Sequence, residues 1–290
     1  FRQIHEGDHL DLAGALLSLG SALEFEGRVK EAEPHVRAAL EMRERLLPAD
    51  DPAVAEAHIL WAWVLQKSGR SKASVESAQI GFDAWRKQPE LMLLEAGPRT
   101  LAVALASTGQ LAASENVYQE ERRTLNRLYG DQHPAMVTCL DNLGMTLVRL
   151  RKFDEAEPVL NEALAQGRKF YGDRCHHEDH ILSHLAQIAE HRGEDVEQLQ
   201  LLRDAVAVAR RVYAPGHRYR KEALNNLIKA LQRQVEMFAE RAAAETSADL
   251  AEKARERMAE LEELARSQSE VKVAPEVIAD LKAKIPIPDK

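Results

Sequence analysis

The sequence predicts an all-α solenoid of helix–turn–helix repeats, and three observations predict it. The phrase Arg127-Leu128-Tyr129-Gly130-Asp131 returns 42 residues later as Lys169-Phe170-Tyr171-Gly172-Asp173, and loosely again as Arg211-Val212-Tyr213-Ala214-Pro215. Gly27, Gly69, Gly109, Arg151, Gly193 and Val235 fall in one column, spaced by 42, 40, 42, 42 and 42. Self-similarity at a period of roughly 20–50 residues marks stacked units, each too small to bury its own apolar face. Aromatics make up only 5% of the 290 residues, with 14 Gly and 11 Pro, which favours helix over strand.

Each unit reads as two amphipathic helices, A and B, joined by a short turn. The array is expected over 1–235, as about five units with the first beginning near residue 8. Ile4–His9 aligns with Leu128–His133. Residues 1–7 therefore read as the tail of an upstream repeat, and the chain as a piece of a longer protein. In the fourth unit helix A is expected at about Pro134–Leu150, with Val137, Leu140, Leu143 and Leu147 at helical spacing. Pro134 suits a first-turn position, where a missing N–H costs little. Helix B follows at about Phe153–Phe170, with Ala156, Leu160 and Ala163 on one face. Glycine fills most A–B turns because a helix C-cap often needs a left-handed backbone. Arg151 takes that place in the fourth unit, so a differently built turn is expected there.

The third unit is irregular. Its helix A should start near Leu91, but Gly97-Pro98 falls inside it, and an interior proline removes a hydrogen bond and clashes with the preceding turn. A kink or a late start is expected. The sixth unit keeps Leu224, Leu227 and Leu231. Capping helices are expected over 236–268, where Ser247–Arg266 carries the apolar stripe Leu250, Ala254, Met258, Leu261 and Leu264, with Ser247 as N-cap. The stripe also admits a second reading, as a coiled-coil dimerisation arm. Over 269–290 a short helix at Pro275–Lys284 and an extended, flexible Ile285-Pro286-Ile287-Pro288 tail are expected.

The chain resembles the tetratricopeptide repeat family, whose pattern places Leu-Gly in helix A and small alanines in helix B. Leu19-Gly20 and Leu143-Gly144 match it, Leu101-Ala102 and Leu185-Ala186 add one methyl, and Ala32, Ala39, Ala156 and Ala163 match in helix B. These columns argue against HEAT-type helix pairs of similar period. The 42-residue period and Tyr129–Pro134 (Tyr-Gly-Asp-Gln-His-Pro) look like the kinesin-light-chain type of this repeat.

That resemblance implies a right-handed α-solenoid whose helix A face lines a concave groove. By its Leu-Gly register the groove positions are Leu17, Ser18 and Ser21, then Ile59, Leu60 and Trp63, then Arg99 and Thr100. Asp141, Asn142, Met145 and Arg149 follow, and units five and six supply His184, Gln187, His191, Asn225, Asn226, Lys229 and Arg233. Asn142 and Asn226 share a register where such arrays often clamp a peptide backbone, and His184 departs from it. The first units offer apolar surface with Trp63 as an anchor, and the later ones offer Asn, His, Arg and Lys. A protein or peptide with hydrophobic and acidic features complements that gradient. Three other readings stand beside it: an ordinary solvated face with Trp63 packed on a neighbouring repeat, a groove filled by another part of the parent protein, and a self-assembly module dimerising through its C-terminal helix. Arrays of this type occur in motor adaptors and in bacterial signalling proteins, so a scaffold role in signalling is the setting the resemblance suggests.

No enzyme is expected. There is no P-loop, no GxGxxG after a strand, no HExxH and no GxSxG elbow. No cofactor is implied. Cys175, His180 and His184 are weak candidates for a metal-responsive site, with His180 and His184 four apart on a helix, but no standard zinc spacing is met. The net charge of −8 argues against nucleic acid as partner, and no stretch approaches the roughly 20 apolar residues of a membrane helix. Cys139 and Cys175, far apart and outside any CxxC, read as reduced thiols of a cytoplasmic protein.

Overall fold

The computed structural model describes residues 8–91, 95–130, 132–267 and 270–286. The expected tail at 1–7, together with Asp131, Ile287 and Pro288, lies outside them. Among the described residues the regular structure is α-helix with one 3-10 turn and no strand. The chain divides into two compact units, 1–152 and 153–290. The first holds α1 (Leu10–Phe25), α2 (Val29–Leu46), α3 (Pro52–Lys67), α4 (Ser71–Lys87), α5 (Gly97–Ser107), α6 (Leu111–Tyr129) and α7 (Pro134–Arg149). The second holds α8 (Phe153–Tyr171), α9 (Glu178–Arg192), α10 (Asp195–Val212), α11 (Arg218–Glu245), α12 (Ala248–Ser267) and α13 (Pro275–Lys284). Within each unit a helix packs chiefly on its sequence neighbours, as stacked helix pairs require.

Small residues set the closeness of these pairs. Ala32, Val36 and Ala39 of α2 have no exposed surface, and a Cβ built on Gly20 of α1 would lie 2.4 Å from Val36 Cγ2. The Leu-Gly motif is thus a packing motif: glycine lets α2 approach α1 at that level. The same logic explains the shortened third unit. α5 begins late, at Gly97, with Pro98 in its first turn, where a missing N–H is harmless. A Cβ on Gly97 would meet the backbone of Gly81 at 3.0 Å, so α4 and α5 cross there in close contact.

The helix ends follow from their residues. His9, Asp51, His133 and His217 each cap a helix A by accepting from the amide two residues on: Asp11 at 3.2 Å, Ala53 at 2.8 Å, Ala135 at 3.3 Å and Tyr219 at 3.3 Å. The rings of His133 and His217 stack on Tyr129 and Tyr213, with centroids 4.3 and 4.7 Å apart. The recurring loop tyrosine and histidine therefore serve the fold. Gly27, Gly69, Gly109 and Gly193 have φ between 74° and 82°, in the left-handed region. Arg151 does not build a different turn: it takes the same conformation, at φ 60°.

One boundary differs from expectation. Val235 belongs to the turn column by spacing, yet α11 runs unbroken for 28 residues through it, and Val235 has no exposed surface. Valine cannot readily take the left-handed backbone that glycine supplies, so the helix continues until Thr246, at φ 50°, stops it. The expected division of array from cap at 235/236 thus falls inside a helix. Ser247 then caps α12, accepting from the Leu250 amide at 3.4 Å. Leu250, Ala254, Met258 and Leu261 are buried within this chain, α12 packs on α11, and α13 adds Leu281 to the same core. The stripe expected to serve as cap or dimerisation arm is covered in cis.

Candidate functional site

In the first unit the register places Leu60, Trp63, Arg99, Asn142 and Arg149 at least partly exposed. Four of the predicted positions, Leu17, Ile59, Thr100 and Asp141, are buried and not available as lining. Ile59 is 5% and Thr100 3% exposed, and the Thr100 hydroxyl donates to the Ala96 carbonyl at 2.6 Å. Asp141 is 6% exposed. Leu17 is only 6% exposed and belongs to the α1–α2–α3 core. Leu60 leans against the edge of that same core. Trp63 and Arg99, from α3 and α5, come together: the guanidinium sits 5.6 Å from the ring centroid. Arg149 reaches back to donate to the Ala106 carbonyl at 3.3 Å.

The buried face of α6 carries three polar side chains that the helical pattern did not single out, and two of them, Tyr118 and Glu121, feel the charge of Arg99. Ser114, Tyr118 and Glu121 lie on the inner face of α6, and among the described residues the Ser114 hydroxyl, the Tyr118 hydroxyl and Glu121 Oε2 meet no hydrogen-bond partner. Tyr118 is 1% exposed, and burial drives its pKa well above the usual phenol range. Glu121 keeps part of its stem accessible while its carboxyl is enclosed, and burial pushes its pKa up to about 7, against the opposing pull of a hydrogen bond from Cys139 and the charge of Arg99. The signal was present in the sequence: Glu121 falls in the apolar stripe Val117, Tyr118 and Leu125 at helical spacing.

In the second unit α9 and α11 flank a concavity of about 320 Å³ with α10 contributing Gln198 and Leu202. It gathers four predicted residues, Gln187, Asn226, Lys229 and Arg233, and adds Glu190. His184, from α9, is partly buried, and Asn225 is exposed, but neither lines it. Arg233 is paired with Glu190 and donates to Gln198 Oε1 at 2.8 Å. Gln198 Nε2 donates to Glu190 Oε2 at 2.9 Å, and Gln198 Oε1 also accepts from Gln234 Nε2 at 3.1 Å. Gln234 donates in addition to the Asp195 carbonyl at 3.0 Å and accepts from Arg257 Nε of α12 at 3.2 Å. Gln198 and Gln234 are 2% and 0% exposed. The network is satisfied at each buried amide, the condition under which buried polar groups rigidify a site. Partial burial lowers the pKa of Arg233.

Cys175 is fully buried, His180 lies edge-on to Tyr219 with centroids 4.5 Å apart, and no group of three or more His, Cys, Asp or Glu converges among the described residues. The two acids that begin α9 have structural work instead. Glu178 accepts from Arg168 at 2.7 Å and from Arg211 at 3.2 Å, and Asp179 accepts from the Tyr213 hydroxyl at 3.4 Å. No described helix is long and apolar enough to cross a membrane.

Stacked helix pairs with small-residue crossings and a polar face on the first helix of each pair define a protein-interaction repeat scaffold. Two family models described as tetratricopeptide repeats match residues 94–169 and residues 12–53 and 180–219, together more than half of the chain. The chain belongs to the tetratricopeptide repeat family, with a period of the kinesin-light-chain type. A Podosopora anserina kinesin light chain with nearly identical TPR-like repeats superposes with a TM-score of 0.60 at 17% identity, over 70% of this chain and 97% of that one. BtubC (BKLC) from P. vanneervenii gives 0.56 at 16% identity, over 91% and 94%. The apo form of RapI gives 0.59 at 13% identity, over 94% and 98%. At such identities the likeness is one of fold. A curated relative, the clustered mitochondria protein homolog of Candida albicans, is 26% identical over 117 residues, 40% of this chain, and this chain spans 9% of its length.

Proposed function

We propose that this protein binds an extended peptide segment of a partner protein, and that the α9–α11 concavity takes the part of that segment carrying an acidic group. The observation that carries the reading is the convergence of Asn226, Lys229, Arg233 and Gln187 on one concave surface of about 320 Å³. Asn226 offers both a donor and an acceptor to a peptide backbone. Lys229 is exposed and has no ion-pair partner among the described residues, so it is a cation available to a ligand. Leu202, Ala186 and Ala230 supply apolar floor between them. In the first unit this reading gives the apolar side chains of a partner the partly exposed edge of Leu60 and the Trp63 ring that Arg99 shares. Cys139 and Cys175 are buried as thiols, which supports a reducing, cytoplasmic setting.

The reading is tested with an array of capped peptides that vary in acidic and apolar content. Acidic peptides are expected to bind the wild type and to lose about tenfold or more in affinity in Lys229→Ala and Asn226→Ala, with helix content unchanged. Equal binding by both variants would move recognition away from this surface.

A further inference from the structure

The cation that should meet an acidic ligand is not idle. Arg233 is already paired with Glu190, from the facing helix α9. Glu190 Oε2 accepts from Gln198 Nε2 at 2.9 Å while Arg233 donates to Gln198 Oε1 at 2.8 Å. One buried glutamine amide thus holds the acid at one end and the guanidinium at the other. Gln234 fixes that amide in turn, donating to Gln198 Oε1 at 3.1 Å and to the Asp195 carbonyl at 3.0 Å. A carboxylate therefore sits in the concavity on a prepared pair of donors, and it belongs to the protein itself.

We propose that Glu190 is a built-in competitor that occupies the carboxylate position of the ligand, so that the site selects segments bringing more than one acidic or amide contact. The inference rests on the reading of this concavity as a peptide site. Glu190 and Arg233 are 43% and 42% exposed at the side chain, so the acid is free to swing to solvent when another carboxylate replaces it. The exchange substitutes one carboxylate for another on the same two donors and yields little net affinity. What discriminates ligands is then the surface Glu190 leaves unfilled, Lys229 and Asn226. A lone carboxylate displaces Glu190 without gain. An acidic segment that also places a second acid on Lys229, or a backbone amide on Asn226, gains from both. Gln198 and Gln234 are positioning residues, acting through Arg233 and Glu190.

The experiment is fluorescence anisotropy with a labelled, end-capped octapeptide of alternating leucine and glutamate, and its glutamine counterpart, against the wild-type chain and Glu190→Gln. The substitution removes the charge but keeps an oxygen for Gln198, so the fold is preserved, which circular dichroism verifies. Glu190→Gln should bind the glutamate peptide about two- to fivefold more tightly than wild type, the scale of an exposed ion pair, with no gain for the glutamine peptide. Wild-type binding that is equal to or tighter than that of the variant would overturn the competitor while leaving the groove reading intact. Failure of both proteins to bind the glutamate peptide would remove the groove reading, and the competitor with it.

Discussion

Arg99 lies over the ring of Trp63, its guanidinium carbon 5.6 Å from the ring centroid. The two come from α3 and α5, a repeat apart, and were both expected to face a ligand. The tryptophan that looked like a bare apolar anchor is instead half of a cation–π pair. Such contacts are worth about 0.5–1 kcal/mol at exposed sites. Arg99→Ala should lower stability by about that amount and shift the Trp63 contribution to fluorescence toward the red, read as the difference against Trp63→Phe in both backgrounds. No spectral change would mean that the ring is not covered in solution.

The Gly20–Val36 contact predicts that the Leu-Gly glycine of the first repeat resists replacement. A Cβ at Gly20 would sit 2.4 Å from Val36 Cγ2, and Val36 is fully buried with a stiff β-branched side chain. Gly20→Ala should cost about 1–3 kcal/mol in denaturant unfolding, the range for overpacking. Adding Val36→Ala should restore part of that loss, because it removes the clashing methyl. Strictly additive effects in the double variant would disprove the clash.

Arg151 occupies the left-handed turn that glycine fills in its sister repeats, at φ 60°. The conformation strains an L-residue by roughly 1–2 kcal/mol. Part of that is offset by the lower unfolded-state entropy of a non-glycine residue. Arg151→Gly should therefore stabilise the protein by up to about 1 kcal/mol, measured as a raised midpoint of thermal unfolding. A lowered midpoint would show that the contacts of the arginine side chain outweigh its backbone strain.

Glu121 gives the protein a pH dependence of defined sign. Its carboxyl is pushed up to about 7 in the fold, chiefly by burial, from an ordinary value of 4.5. Below the ordinary value both folded and unfolded chains hold the proton, and the group is neutral to stability. Between that value and about 7 the unfolded chain has lost a proton that the fold retains. Stability therefore falls as pH rises through this window, by on the order of 3 kcal/mol in total. Glu121→Gln should remove this component, so that the difference in unfolding free energy between variant and wild type grows from about pH 5 to about pH 8 and then levels. A pH-independent difference would place the carboxyl in solvent. Arg99 opposes the shift, so Arg99→Ala should move the window upward.

Much of the architecture was legible because it is periodic. Pro134 marked the start of α7, the glycine column marked the A–B turns, and Gly97-Pro98 marked a late-starting α5, each from a local backbone rule that needs no tertiary partner. The rule failed at Val235, where spacing alone could not say whether the turn had been lost. It also misjudged Arg151, since a repeat can impose a left-handed turn on a residue that would not choose it. The candidate site was legible in part for a related reason. Register assigns a residue to the helix A face, which gathered Gln187, Asn226, Lys229 and Arg233, but it does not say which members of that face turn inward, and so it included the buried Leu17, Ile59, Thr100 and Asp141.

The sequence by itself determined the repeat, the helix pairs and the polar character of their first-helix face, because these depend on spacing and on the backbone preferences of single residues. Only the tertiary structure decided which of those polar groups already have partners. Glu190 with Arg233, Arg99 with Trp63, and Gln198 with Gln234 join residues from different helices, at separations set by helix packing. The enclosure of Glu121 was decided in the same way, since the dielectric around a carboxyl is a property of what surrounds it. The C-terminal stripe shows the distinction most simply: its apolar pattern could be read along the chain, whereas its burial against α11, within the same chain, is a fact of packing.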